Sequence, residues 1–250
     1  MNEEELLSNR FADLAASCYE KGKYTYTDFL GLLEYTVFLA AARAFSYVPY
    51  TVFGGAEGCE RVMVRFGDEE SLGYAADFPI ACLSITPVSP KFAEPISHRD
   101  CLGALMNLGI KRECLGDIVK TEGGMLLFCL EKIAPYLCEN LTRVRHTDVR
   151  LSPCLPPPAV YTQTEEARVS VASPRADGVI AHVFSLSRAD AAELFAARRV
   201  FVNGRLTESG GRDLRAGDLV TVRGLGRFRF GGEAGTSRKG KSIISIEKFL

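Results

Sequence analysis

The sequence predicts an α+β chain, and three observations predict it. Apolar residues recur at helical spacing over residues 3–20 and 28–45. Residues 78–151 alternate extended and helical segments in the order β-α-β-β-α-β. A stretch rich in proline, "SPCLPPPAVYTQTEE", then separates that block from a basic C-terminal part. The expected divisions are a helical and hairpin region over 1–76, an α+β domain over 77–152, a linker over 153–168 and a small domain over 169–250.

The elements follow in order. Leu6, Leu7, Phe11, Leu14, Ala15, Cys18 and Tyr19 form one helical stripe. Asp28 is the expected N-cap of the second helix, ahead of "FLGLLEY". "YTVFGG" and "CERVMVRF" read as extended segments around a glycine-rich turn. In the middle block "FPIACLSITP" is a strand closed by proline and "SHRDCLGALMNLG" a helix. "ECLGDIVK" and "GGMLLFCLE" are hairpin strands, "KIAPYLCENL" a helix and "TRVRHTDVRL" a last strand. This is the split βαβ, ferredoxin-like order that RNA-recognition (RRM-like) domains use among many others. In the C-terminal part "ADGVIAHVFSL" and "SRADAAELFAARR" are helices, the second capped by Ser187 with Asp190 three residues on. Asn203-Gly204 predicts a tight hairpin turn in "VFVNGRLTE", and "GDLVTVRGLGRFRFGG" and "KSIISIEKF" supply further strands.

Composition narrows the function classes. The longest apolar candidate, "LLEYTVFLAAARAF", is broken by Glu34 and Arg43, so no membrane span is expected. The start "MNEEELLSNR" lacks a basic region followed by an apolar run, so a cytoplasmic, unsecreted protein is expected. The eight cysteines form no CxxC half-site and the three histidines are scattered, which leaves neither a metal site nor a cofactor expected. Net charge is −1, but residues 168–250 carry 15 Lys and Arg against 8 Asp and Glu, a local +7 on a body of −8. Such asymmetry points to a polyanion partner for the C-terminal part.

Two runs invite a chemical reading. "HRD" at 98–100 opens a kinase catalytic loop, but that loop needs asparagine five residues after the aspartate. Asn107 is seven after Asp100, and neither DFG nor a nucleotide-binding glycine loop is present. The run instead starts a helix, with Ser97 or His98 at its cap and Asp100 in its first turn. His98, Arg99, Asp100 and Arg112 then flank helix ends, where they either meet RNA or only shape the helix. "GRFRF" at 226–230 places Arg227 and Arg229 on one strand face and two phenylalanines on the other. With Arg223, Lys239 and Lys241 these arginines make a candidate phosphate stripe.

The most specific feature is the helix–helix–"VFVNG" unit. Ser187-Arg188, Val200, Val202-Asn203-Gly204, Gly217-Asp218 and Arg223-Gly224 resemble the αL RNA-binding motif of small-subunit ribosomal protein S-four. The resemblance implies RNA contact by Arg188, Arg198, Arg199 and Arg205, with Asn203 serving the turn more than the RNA. That family carries glycine just before the first strand. Here Arg198-Arg199 stands there, and a left-handed Arg198 would cost roughly 1 kcal/mol.

"FGGAEGCERV", "HRDCLGALMNLGIKRECLGDIV" and "GLGRFRF" followed by "GTSRKGK" together resemble the YlmH family of bacterial RNA-binding proteins. The resemblance implies a monomeric protein without catalytic activity. Its partners would be rRNA and tRNA on the large ribosomal subunit, in the rescue of stalled nascent chains. The rival classes are an RNA-modifying enzyme of the pseudouridine synthase kind, whose catalytic motif "PRAD" at 174–177 faintly matches, and a cell-division factor.

Overall fold

The computed structural model describes residues 3–160, 164–237 and 240–249. The chain divides into two compact units, residues 1–160 and 161–250.

The first unit begins with helix α1 (Glu3–Lys21), the two-residue strand β1 (Thr25–Tyr26) and helix α2 (Leu32–Ala41). Strands β2 (Tyr50–Phe53) and β3 (Met63–Phe66) follow, then the short helix α3 (Glu69–Leu72). β3 sits between β1 and β2, with both pairings antiparallel. Phe11, Phe38, Phe45 and Phe66 are fully buried where the helices meet this sheet, with ring centroids of Phe11 and Phe38 5.3 Å apart, edge to face.

Helix α2 starts later than its sequence suggests. Gly31, not Asp28, is its N-cap and supplies no side-chain bond. Asp28 instead pairs with Arg10, at 2.5 Å. Tertiary pairing explains the shift. The Phe29 amide donates to the Glu113 carbonyl, and Leu30 bridges to Val62, so both residues are drawn into extended backbone.

Residues 80–153 form the second layer. Strand β4 (Ile80–Pro87) leads to helix α4 (His98–Asn107), strands β5 (Leu115–Thr121) and β6 (Gly124–Leu130) and helix α5 (Ala134–Asn140). The expected last strand is a hairpin, β7 (Arg143–Val144) and β8 (Thr147–Pro153), turning at Arg145 with φ +53°. The sheet order is β5-β6-β4-β8-β7, with every recorded pairing antiparallel. One face packs on α4 and α5 through Leu83, Ile85, Leu105, Leu127 and Leu137. The other face is covered as well. Phe29, Ala56 and Met63 of the N-terminal part share a core with Cys82, Phe128 and Leu130 of the sheet.

Gly55 makes that cover possible. At φ +106° it sits so close to the Phe128 ring that a Cβ would approach it at 2.3 Å. The loop is also fixed by hydrogen bonds to the β5 edge. Asp117 accepts from the Glu60 and Arg61 amides, and the Arg61 guanidinium donates to the carbonyls of Phe29, Arg112 and Leu115.

The second unit is one sheet under two helices. Strand β9 (Thr164–Val171), helices α6 (Ala176–Val183) and α7 (Arg188–Ala196) and strands β10 (Val200–Val202) and β11 (Arg205–Leu206) come first. β12 (Leu219–Val222), β13 (Gly226–Thr236) and β14 (Ser242–Phe249) complete it, in the order β11-β10-β12-β13-β14-β9. β9 pairs with β14 across residues that read as linker in the sequence. Val179, Ile180, Leu194 and Phe195 from the helices meet Val200, Val220, Phe228 and Ile244 from the sheet.

Candidate nucleic-acid interface

Four of the candidate arginines of the second unit, Arg188, Arg198, Arg199 and Arg205, lie along helix α7 and the hairpin after it. Ser187 caps α7: its Oγ accepts from the Asp190 amide at 3.1 Å, and the Asp190 carboxylate accepts from the Ser187 amide at 3.3 Å. Arg188 is the first helical residue and is exposed. It lines a surface cavity of about 340 Å³ with Arg175, Asp177 and His182, residues that sequence spacing did not associate with it. Asp177 of "PRAD" binds Arg175 at 2.8 Å and accepts from the Gly178 amide.

Helix α7 ends in a Schellman turn. The Arg198 amide donates to Phe195 and the Arg199 amide to Leu194, both at 3.0 Å. Arg198, standing where the resembled family has glycine, takes the left-handed conformation at φ +54°. Its side chain is exposed, 3.4 Å from Glu208. The Arg199 guanidinium turns back and donates through Nε and Nη2 to the Arg223 carbonyl. The Arg223 amide donates in turn to the Arg199 carbonyl at 2.9 Å. The structure thus brings Arg198, Arg199 and Arg223 together where α7, β10 and β12 meet. Arg188 lies at the other end of α7, roughly 13 Å along the axis by helical rise.

The hairpin turn is built by Asn203 and Gly204, with φ +52° and +75°. Asn203 Nδ2 donates to Asp218 Oδ1 at 2.8 Å, and its Oδ1 accepts from the Leu219 amide at 2.9 Å. Both ends of that side chain therefore hold the turn to the start of β12. Arg205, one residue past the turn, is exposed.

The "GRFRF" strand needs a correction. Phe228 and Phe230 point into the core, but Arg227 is buried too, at 4% exposure. It lies on a central strand, opposite Thr221 on β12 and Phe249 on β14, so it offers no charge to a phosphate. Alternation gave the face correctly and says nothing about what covers that face. Arg229 is exposed, 3.4 Å from Glu247 and 6.0 Å above the Phe249 ring. Lys241 is exposed, its amide donating to Ser237 Oγ. Lys239 lies outside the described residues.

In the first unit the "HRD" run starts α4. Ser97 Oγ accepts from the Asp100 amide at 3.2 Å, and Asp100 accepts from the Ser97 amide at 3.1 Å. Arg145 adds an ion pair to Asp100 at 3.7 Å, a contact that its Arg-His turn does not announce in the sequence. The Ser97 hydrogen bonds foremost, then Arg145 and Arg99, hold the Asp100 carboxyl below the usual range. Desolvation, then the Arg112 charge, push the His98 imidazole below its usual value, with Asp117 and Glu60 opposing. The shift favours the neutral ring, and the side chain is exposed at the start of α4. Arg99 is exposed. Arg112 is half-buried, donates to the Leu115 and Gly116 carbonyls and is pushed down by burial to about 10. Its guanidinium closes the turn into β5 more than it faces solvent.

Residues 74–155 match the sequence model of the family described as "Putative RNA-binding domain in YlmH". That segment contains His98, Arg99, Asp100 and Arg112. Over 233 residues the chain is 29% identical to the Bacillus subtilis (strain 168) "Ribosome-associated protein quality control protein P2", covering 92% of this chain and 89% of that protein. Among solved structures it is similar to the "Cell division protein ylmH from Streptococcus pneumoniae" at 19% identity and a TM-score of 0.49, over 62% of this chain and 92% of that one. Among the described residues, no helix is long and apolar enough to cross a membrane. No group of three or more His, Cys, Asp or Glu among them could hold a metal ion.

Proposed function

We propose that this chain is a cytoplasmic, non-enzymatic RNA-binding protein that acts as a monomer on the large ribosomal subunit, in quality control of stalled nascent chains. The observation that carries the reading is the cationic rim of the second unit. Arg188, Arg198, Arg205 and Arg223 are all exposed on α7 and the strands around its C-terminus, in a unit whose residues 168–250 carry a local charge of +7. Backbone phosphates of rRNA or tRNA are the polyanions such a rim fits. The similarity to a protein named for ribosome-associated quality control, and the match of residues 74–155, support the same assignment.

The first unit supports it differently. Its strands β5-β6-β4-β8, with helices after β4 and β6, follow the order of a ferredoxin-like, RRM-like domain. RRM domains stack bases on aromatics of the central strands. Here the central-strand aromatic, Phe128, is fully buried beneath the 54–63 segment. Base stacking on that face is closed, so RNA contact by this unit falls to Arg99 and the start of α4. The second unit resembles the αL domain of ribosomal protein S-four in its helix pair and Asn-Gly hairpin.

Sedimentation tests the reading. The wild-type protein is expected in the large-subunit fractions of a low-salt lysate gradient and to leave them as salt rises. Arg188→Ala combined with Arg205→Ala is expected to shift it to the top of the gradient at the same low salt. A wild-type protein absent from ribosomal fractions at low salt would sink the assignment. Retention of the double variant would sink the assigned residues. An rRNA modification map changed by deleting the gene would show an enzyme instead.

A further inference from the structure

Two of the eight cysteines are set opposite each other across neighbouring strands. Cys82 lies in β4, and Cys154 follows the last residue of β8. The register Leu83↔Pro153 places them as the next pair, and the Cys154 amide donates to the Cys82 carbonyl at 3.0 Å. The two Sγ atoms are 3.5 Å apart. The next pair on the same face, Ser84 and Ser152, has its hydroxyl oxygens 3.0 Å apart, so the side chains are opposed along the ladder. A hydrogen-bonded antiparallel pair has its Cα atoms about 5.5 Å apart. That lies inside the range of about 4.4–6.8 Å that a disulfide spans. Side-chain rotation would bring the sulfurs from 3.5 Å towards the bonded distance of about 2.05 Å.

We infer that Cys82 and Cys154 are a thiol pair that low-molecular-weight disulfides oxidise to a reversible cross-strand bond. Cys154 is the more exposed and receives the oxidant, while Cys82 is buried. Burial, then the hydrogen bond with Cys154, push the Cys82 thiol up to about 12, which suits a second, slower reactant. The Cys154 thiolate attacks one sulfur of the small disulfide. That S–S bond breaks, and one small thiolate leaves and takes up a proton. The Cys82 sulfur gives its proton to solvent and attacks Cys154 Sγ, expelling the second small thiol. Two protein thiols are oxidised and one small disulfide is reduced to two thiols.

The bond would join residues 72 apart in sequence and fasten the end of β8 to β4. The chain leaves the sheet there and is next tied down where Glu57 bonds to the backbone of Pro158 and Val160. The inference does not depend on RNA binding. Cys101 and Cys129, both pushed up to about 12 by burial, serve as internal controls.

The full chain is incubated with oxidised glutathione, alkylated and mapped by mass spectrometry without reduction. A linked peptide pair containing Cys82 and Cys154 is expected, with Cys101 and Cys129 alkylated only after unfolding. The thermal midpoint is expected to rise by roughly 5–10 °C and to return on adding dithiothreitol. Cys82→Ala is expected to trap the glutathione adduct on Cys154. Should that variant fail to fold, Cys154→Ser leaves the buried thiol in place and is expected to abolish the link. A stable glutathione adduct on Cys154 of the wild-type protein, a link through Cys59, or thiols left unchanged would each overturn the inference.

Discussion

Asn203 and Asp218 are joined side chain to side chain at 2.8 Å, and this pair holds the two-residue hairpin turn to the start of β12. Asp218 is buried and also accepts from the Arg215 amide at 2.9 Å. Asn203→Ala removes two hydrogen bonds and leaves a residue poorly suited to φ +52°. The expected cost is about 2–3 kcal/mol in chemical denaturation. RNA affinity per folded molecule is expected to hold. A fold of normal stability with lost affinity would make Asn203 a base reader instead.

Arg198 separates strain from charge. Arg198→Gly is expected to raise stability by about 0.5–1 kcal/mol, because glycine accepts the left-handed backbone. The ion pair to Glu208 is exposed on both sides, so its loss weighs little. The same change removes a proposed phosphate contact. Salt titration of RNA binding is expected to lose about 0.7–0.9 from its log–log slope.

Arg199 and Arg205 are expected to behave in opposite ways. Arg199 holds the Arg223 carbonyl, so Arg199→Ala is expected to cost about 1–2 kcal/mol of stability. Arg205 is exposed, and Arg205→Ala is expected to change stability by less than about 0.5 kcal/mol while weakening RNA binding. Paired denaturation and binding curves on the two variants check this.

Gly55 tests the cover over the sheet. Gly55→Ala places a methyl group against the Phe128 ring at a positive φ, and the expected cost is about 2 kcal/mol or more. Adding Phe128→Leu should return part of it, since the shortened side chain vacates the space. A double variant as unstable as the sum of the singles would contradict the contact.

Asp100 gives a pH signature. Its folded pKa lies below the ordinary 3.8, through the Ser97 hydrogen bonds first and Arg145 and Arg99 after. A depressed carboxyl contributes stability that is fully present above the unfolded value and lost as pH falls through the folded one. The gap in thermal midpoint between wild type and Asp100→Ala is therefore expected to be constant near neutrality and to narrow below the ordinary carboxyl value. RNA affinity of the folded variant at pH 7 decides whether Asp100 does more than cap α4.

Local chemistry was legible in the sequence. The cap at Ser187 and the Asn203-Gly204 turn depend on a few adjacent residues and occur, the α4 cap falls to Ser97 of the two candidates, and Arg198 takes the left-handed backbone that its missing glycine raised as a question. What long-range packing decides was not. Asp28 lost its cap role once Phe29 and Leu30 paired with distant backbone. Arg227 is buried and Arg112 is tied to carbonyls, because a strand's position in the sheet and a turn's neighbours set exposure, not alternation or charge. The Arg145 turn carries neither glycine nor asparagine, so its hairpin left no mark in the pattern.

The segment laid over Phe128 bears on modularity. Residues 74–155 match one family model, yet the wall that keeps Cys82, Phe128 and Leu130 dry is made by Phe29, Ala56 and Met63, all upstream of it. Cut out alone, that segment would present an oily sheet face and an unstitched β5 edge to water and to other copies of itself. Residues 74–155 expressed without the N-terminal region are therefore expected to aggregate where the full chain stays dispersed.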